Sequence, residues 1–283
     1  MTRSILIYAN CQGEELLLTA EHLPALAGRV TVKWIPQHLV SAEDWRTRYG
    51  ADFMSDVATV WEQVESGPVS ENRAELHRRI PAAAQVIKFP PFSALFLWPF
   101  AGNDPRVALD PERYPWPDTV GAMLANEADL PDDALFEKYL RITTERMPDL
   151  ERRLRMDVAR WKATDALADI KVADWVEQSF RNARLFHTSG HLTALPISMM
   201  LKQLLIRTDI LPGQVTDMAA GEIDRLLRYH QGQDFECVPI HPVVAERLRL
   251  GYFDPNARYR WHGHEWTFRQ YILHYIRWAP YLD

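Results

Sequence analysis

Apolar and polar positions follow two rhythms along this chain, and the switches between them set the first expectations. Ile5-Leu6-Ile7-Tyr8-Ala9 is a short apolar run with β-branched and aromatic members, which predicts a buried strand. It breaks into the polar turn Asn10-Cys11-Gln12-Gly13. Leu16, Leu17, Ala20, Leu23 and Leu26 then recur at helical spacing and predict a helix over 14–26. Residues 30–35 alternate as a second strand stopped by Pro36. Residues 56–61 read as a third strand leading into Glu62-Gln63, and 85–89 as a fourth that ends at Pro90-Pro91. A polar-faced helix capped by Ser70 or Asn72 fits 70–80. This succession is the rhythm of an α/β fold, a parallel sheet with helices on its faces.

Between 90 and 117 the pattern dissolves. Phe92, Phe96, Trp98, Phe100, Tyr114 and Trp116 sit among prolines without a period, as a structural loop or as a lid or substrate wall. Residues 120–128, 132–143, 147–164 and 166–180 are amphipathic and charged, which predicts a helical insertion over 119–180. Arg184-Leu185-Phe186-His187 reads as a fifth strand turning at Thr188-Ser189-Gly190-His191. A leucine- and methionine-rich helix over 194–205 follows, apolar on most faces and so expected to be buried. Helices around 221–229, 242–250 and 266–278 make 214–283 an aromatic-rich helical part packed on the core. One α/β domain over 1–283 is expected.

Composition narrows the classes. With 47% hydrophobic and 25% charged residues the chain reads as an ordinary soluble globular protein. A formal net charge of -6 speaks against a general nucleic-acid binder. Cys11 and Cys237 are too few for a disulfide framework, so a reducing compartment is expected. Only about five apolar residues follow Arg3, short for the core of a signal peptide, and no stretch approaches a membrane span. A cytoplasmic protein is the expectation.

The chemistry starts at Cys11. At the carboxyl end of a first strand and the start of a first helix, it faces the edge where open α/β sheets bind ligands. The helix N-terminus there favours a thiolate. Against a buried structural cysteine stand the polar flanks Asn10 and Gln12 and the turn glycine Gly13. Gly13 and the Gln12 side chain would supply oxyanion donors. A nucleophilic cysteine needs a base, and His187 and His191 offer two candidates in one turn. Gly190 permits an unusual backbone, which favours His191, with His187 its rival. No acidic partner for either histidine stands out, and their spacing lacks a third metal ligand, so no metal is expected. Gln63 would hydrogen-bond a substrate or intermediate, against a capping or solvent-exposed role for Glu62-Gln63. Lys88 would meet a phosphate or simply lie along the surface, and Asp118 would cap the next helix. The segment Arg258-Tyr-Arg-Trp-His-Gly-His264-Glu-Trp266 suits a stacking platform for a base or sugar, or plain anchoring of the last helix. No dinucleotide, nucleotide-loop or hydrolase-elbow motif is present.

Several of these residues together resemble the WcbI-type proteins, acetyltransferases of capsular polysaccharide biosynthesis. They are the opening strand with Asn10-Cys11-Gln12, the third-strand ending in Gln63, the Lys-Phe-Pro-Pro stretch at 88–91, the Pro117-Asp118 turn and the late Gly190-His191. Ala9 stands where that family has glycine, and Gly190-His191-Leu192 where it has Asn-His-Pro. The resemblance implies a three-layer α/β/α sandwich like the SGNH hydrolases, with cysteine in place of their serine. It also implies coenzyme A or acetyl-CoA as acyl donor and a saccharide hydroxyl as acceptor, with Cys11 as nucleophile and His191 as the late histidine. Two routes follow. Cys11 takes the acetyl group and His191 then activates the sugar hydroxyl, or His191 drives direct attack on acetyl-CoA over an oxyanion pocket of Asn10, Cys11 and Gln12. An esterase or thioesterase with the same residues, and a non-catalytic CoA-binding accessory protein, are the alternatives. Homo-oligomerisation stays open.

Overall fold

In the computed structural model, which describes residues 3–65, 67–106, 117–226, 229, 232, 236–261 and 263–279, the first strand is β1, Arg3–Ala9. Helix α1, Cys11–Glu21, follows after a single residue. It starts three residues earlier than the apolar spacing suggests because Asn10 caps it: the Asn10 Oδ1 accepts from the Gln12 N–H at 2.9 Å. Pro24 stops its continuation toward Leu26, since proline brings no N–H to a helix.

Next come β2 (Val30–Pro36), the short helices α2 (Ala42–Thr47) and α3 (Ala51–Met54), β3 (Val57–Gln63), α4 (Glu71–Arg79) and β4 (Gln85–Phe89). Ser70 caps α4, accepting from the Arg73 N–H at 3.3 Å. The strands form one parallel sheet in the order β2-β1-β3-β4, with Tyr8 opposite Glu62 and Gln63 opposite Phe89. Alternation sends successive side chains to opposite faces. Leu6, Tyr8 and Val60 pack with Trp45 of α2, Met54 of α3 and Leu76 of α4. On the other face α1 lies so close that a Cβ on Gly13 would come within 2.7 Å of the Ala9 Cβ and 3.0 Å of the Ile7 Cγ2.

Helices α5 (Thr119–Leu124), α6 (Asp132–Glu145), α7 (Leu150–Ala166) and α8 (Ala173–Ser179) occupy the stretch read as helical, and Asp118 caps α5 as expected. Residues 167–172 leave the helix because the Asp165 carboxylate takes the Val172 and Ala173 N–H groups at 2.9 and 2.8 Å. Helix α9 (Ala194–Ile206) is largely buried, as its apolar surface requires. Then come α10 (Gly213–Leu226), α11 (Pro242–Leu248), an antiparallel hairpin β5 (Arg258–Trp261) and β6 (His264–Thr267), and α12 (Phe268–Arg277).

One expectation fails here. Residues 184–187 do not extend the parallel sheet, which among the described residues has four strands. An apolar run of that length also suits a buried irregular segment, and this one pairs its backbone with residues 191 and 238 instead. The segment at 258–266 is a hairpin turning at Gly263, whose φ of 78° is the left-handed conformation that glycine adopts without strain. Its Trp266 ring stacks on His274 of α12 at 3.9 Å, lies parallel to His264 at 5.3 Å, and packs against the cluster around Tyr271 and Tyr275. That is the anchoring role.

The chain divides into two compact units. The first comprises Met1–Phe92, Arg160–Glu177 and Leu192–Gly232, and holds the parallel sheet, α1 to α4, α9 and α10. The second comprises Ser93–Ala159, Gln178–His191 and Gln233–Asp283, and holds α5, α6, α11, the hairpin and α12. Tyr114 and Trp116 of the aromatic loop and His262 lie outside the described residues.

Candidate active site

In the first unit, the carboxyl edge of the sheet gathers an amide network around the start of α1. Gln63, the last residue of β3, is fully buried. Its Oε1 accepts from the Asn10 N–H at 3.2 Å and from Gln37 Nε2 at 3.1 Å, while its Nε2 donates to Gln12 Oε1 at 3.1 Å. Gln12, also buried, donates from Nε2 to the Phe92 carbonyl at 2.6 Å and accepts the Phe92 N–H at 3.1 Å. Gln63 is thus neither a helix cap nor solvent-exposed. Arg73 of α4 donates to the Gln63 carbonyl and pairs with Glu62 at 3.1 Å, and His77 Nε2 meets the other Glu62 oxygen at 3.0 Å. Side chains from the end of β3, from the residue after β2 and from α1 and α4 therefore fix the backbone on which Cys11 sits.

Cys11 is the first residue of α1 and is partly exposed. Its neighbours Gln12 and Gly13 are buried, whereas Asn10 shares its partial exposure. Asn10 Oδ1 accepts the capping N–H, and the Nδ2 of the same side chain is a donor. Gly13 serves close packing rather than a special turn: it is not among the glycines of positive φ, and a Cβ there would also meet Trp34 Nε1 at 2.9 Å. Lys88 is exposed on β4, where the Asp169 carboxylate holds its backbone N–H at 2.7 Å and the Asp169 N–H meets its carbonyl at 2.8 Å.

In the second unit, His187 and His191 close one tight turn. The His187 N–H donates to the His191 carbonyl at 2.9 Å, and Thr188 Oγ1 accepts the Gly190 and His191 N–H groups at 3.3 and 3.0 Å. Gly190 has no positive φ, and a Cβ there would meet nothing within 4 Å, so the expected unusual backbone is absent. The segment 236–238 runs beside the turn, with the Val238 N–H on the His187 carbonyl at 2.9 Å. It brings Cys237 Sγ to 3.2 Å from His187 Nδ1, and Glu236 Oε2 to 3.9 Å from His191 Nδ1. Burial pushes the His191 imidazole below its ordinary pKa, favouring the neutral ring. Glu236 is the acidic neighbour that no local pattern in the sequence could signal, because it meets the turn only through folding.

Asp118 keeps the capping role expected of it. Its Oδ1 accepts the Val120 and Gly121 N–H groups at 2.9 and 2.8 Å, and its Oδ2 accepts Tyr139 OH at 2.7 Å. Burial raises its pKa despite those donors. It lines a cavity of about 40 Å³ with Trp98, Phe100, Tyr139, His241 and Phe268. Asp118, Tyr139 and His241 are already bonded to protein groups there, which makes the space a packing void with room for water. Among the described residues no group of three or more His, Cys, Asp or Glu could hold a metal ion. None of their helices is long and apolar enough to cross a membrane.

A family profile described as "Polysaccharide biosynthesis enzyme WcbI" matches residues 4–214. Among solved structures, the chain is similar to one of WcbI, a novel polysaccharide biosynthesis enzyme, described as native protein without a disulfide bond between coenzyme A and a cysteine. The two share 18% sequence identity with a TM-score of 0.74, over 98% of this chain and 90% of that one. At that identity the likeness speaks for the fold. No curated protein matches the chain.

Proposed function

The chain belongs to the WcbI family of polysaccharide biosynthesis enzymes, and from that premise we propose that it transfers an acetyl group from acetyl-CoA to a saccharide hydroxyl in capsule assembly. The observation that carries the reading is Cys11, a partly exposed cysteine at the first position of α1, on a backbone fixed by Gln12 and Gln63. The solved relative is described as native protein without a disulfide bond between coenzyme A and a cysteine, and that mention of the two thiols together is what suggests pairing Cys11 with the thiol end of coenzyme A. The SGNH-like reading of the α/β fold, with cysteine at the nucleophile position, belongs to the same proposal.

Cys11, as thiolate, attacks the thioester carbonyl. A new carbon–sulfur bond forms, the old one breaks, and the coenzyme leaves as its thiolate. Helix α1 favours the Cys11 thiolate through its N-terminal dipole, and the Asn10 amide donates to the developing oxyanion. His191 Nε2 then takes the proton of the sugar hydroxyl, whose oxygen attacks acetyl-Cys11 and releases the thiolate. Lys88 is the cation assigned to a phosphate of the coenzyme, and a reducing cytoplasm keeps Cys11 a thiol.

The test is coenzyme release from acetyl-CoA, with and without a panel of sugar acceptors, alongside thermal shift with coenzyme A. Acceptor-dependent release and a raised melting temperature are expected. Rapid release without acceptor would make the protein a thioesterase. Binding without turnover on any acceptor would make it an accessory protein.

A further inference from the structure

Two histidines share the turn at 187–191, but the segment 236–238 gives them different neighbours, a thiol for His187 and a carboxylate for His191. We infer that Glu236 is a positioning residue for His191, holding the proton on Nδ1 so that Nε2 keeps the lone pair that accepts the substrate's proton. The inference rests on the reading of His191 as the base.

A neutral imidazole carries one N–H donor and one acceptor nitrogen, and a carboxylate can only accept. Facing Glu236 across 3.9 Å, Nδ1 is therefore the nitrogen that keeps its hydrogen. At 3.9 Å the two atoms are in ion-pair range and beyond hydrogen-bond distance, and catalytic contacts often tighten only when substrate binds. Both partners are shielded, at 18% and 14% side-chain exposure, so solvent screening of the pair is weak. The frame around them is fixed by backbone bonds. The Val238 N–H is on the His187 carbonyl, the Cys237 N–H on the Arg260 carbonyl at 2.9 Å, and the Ala94 N–H on the Ser189 carbonyl at 2.9 Å. Arg184, a cation of the same neighbourhood, donates to the Phe186 and Val238 carbonyls at 3.1 and 3.4 Å. When Nε2 takes a proton, Glu236 stabilises the imidazolium. His187 instead has the Cys237 sulfur 3.2 Å from its Nδ1.

Nitrogen-resolved NMR of the His191 ring in the wild type and in Glu236→Gln tests this directly. The wild type is expected to hold its hydrogen on Nδ1, and Glu236→Gln to lose that preference and to titrate at lower pH. An Nε2–H tautomer in the wild type, or a ring indifferent to Glu236→Gln, would overturn the inference. Kinetics add a second readout. Glu236→Gln should lower kcat roughly tenfold to a hundredfold with KM unchanged, and Glu236→Asp should recover part of it. If the NMR result holds while His191→Ala leaves turnover intact, the base reading fails and the pairing stands.

Discussion

The side chain of Gln12 grips both backbone polar groups of Phe92, donating to its carbonyl at 2.6 Å and accepting its N–H at 3.1 Å. The reason lies in the preceding pair. Pro90 and Pro91 bring no N–H to a sheet, so β4 stops at Phe89 and the buried amide of Phe92 needs another partner. A glutamine amide mimics the missing peptide. One side chain therefore ties the start of α1 to the end of the sheet, one residue from Cys11.

Replacing Gln12 by alanine should leave two buried backbone groups unsatisfied and cost about 2–4 kcal/mol. Denaturant unfolding measures it. A loss below about 0.5 kcal/mol, the size of an ordinary surface change, would mean that water replaces the clasp.

Gly13→Ala should also destabilise, by about 1–3 kcal/mol, because the added methyl would collide with Ala9, Ile7 and the Trp34 indole that donates to the Ala9 carbonyl at 3.3 Å. The change should shift the unfolding midpoint. Were the midpoint unchanged, α1 would be free to lift from β1.

His241 makes the fold acid-sensitive. Its Nδ1 accepts the Val243 N–H at 3.2 Å and its Nε2 meets Thr143 Oγ1 at 2.9 Å, so the neutral ring fills its place. Burial pushes its pKa from the ordinary 6.5 down to about 4. The unfolded chain binds this proton at higher pH than the folded one. The contribution is therefore complete above pH 6.5 and is lost as pH falls through the folded value, on the order of 3 kcal/mol in all. His241→Asn, which can still cap α11, should flatten that part of the stability–pH curve. An unchanged slope would assign the acid sensitivity to other groups.

Lys88→Ala should raise KM for acetyl-CoA about fivefold, the worth of one exposed charge pair, and leave kcat unchanged. Steady-state kinetics with varied acetyl-CoA reads the split. An unaltered KM would remove Lys88 from the coenzyme site.

What the sequence made legible follows from how locally each feature is encoded. The four parallel strands announce themselves as apolar runs, and the caps at Asn72's neighbour Ser70 and at Asp118 lie within three residues of the groups they satisfy. Helices α2 and α3 escape notice because six and four residues are too few to show a period. The run at 184–187 looks like a strand because burial, not sheet pairing, is what its composition encodes. The Gln12–Phe92 clasp joins residues 80 apart and the Gln63–Gln12 bond residues 51 apart, and no local pattern carries such pairings. Glu236 is hidden for the same reason, although it stands beside one of only two cysteines.

In the proposed reaction Cys11 carries the acetyl group between donor and acceptor. Intact-mass spectrometry after brief exposure to acetyl-CoA without acceptor tests it most directly. One added acetyl group is expected on the wild type, located on Cys11, discharged by the acceptor sugar and absent from Cys11→Ala. An unmodified wild type, together with Cys11→Ala that still acetylates the sugar at full rate, would contradict it.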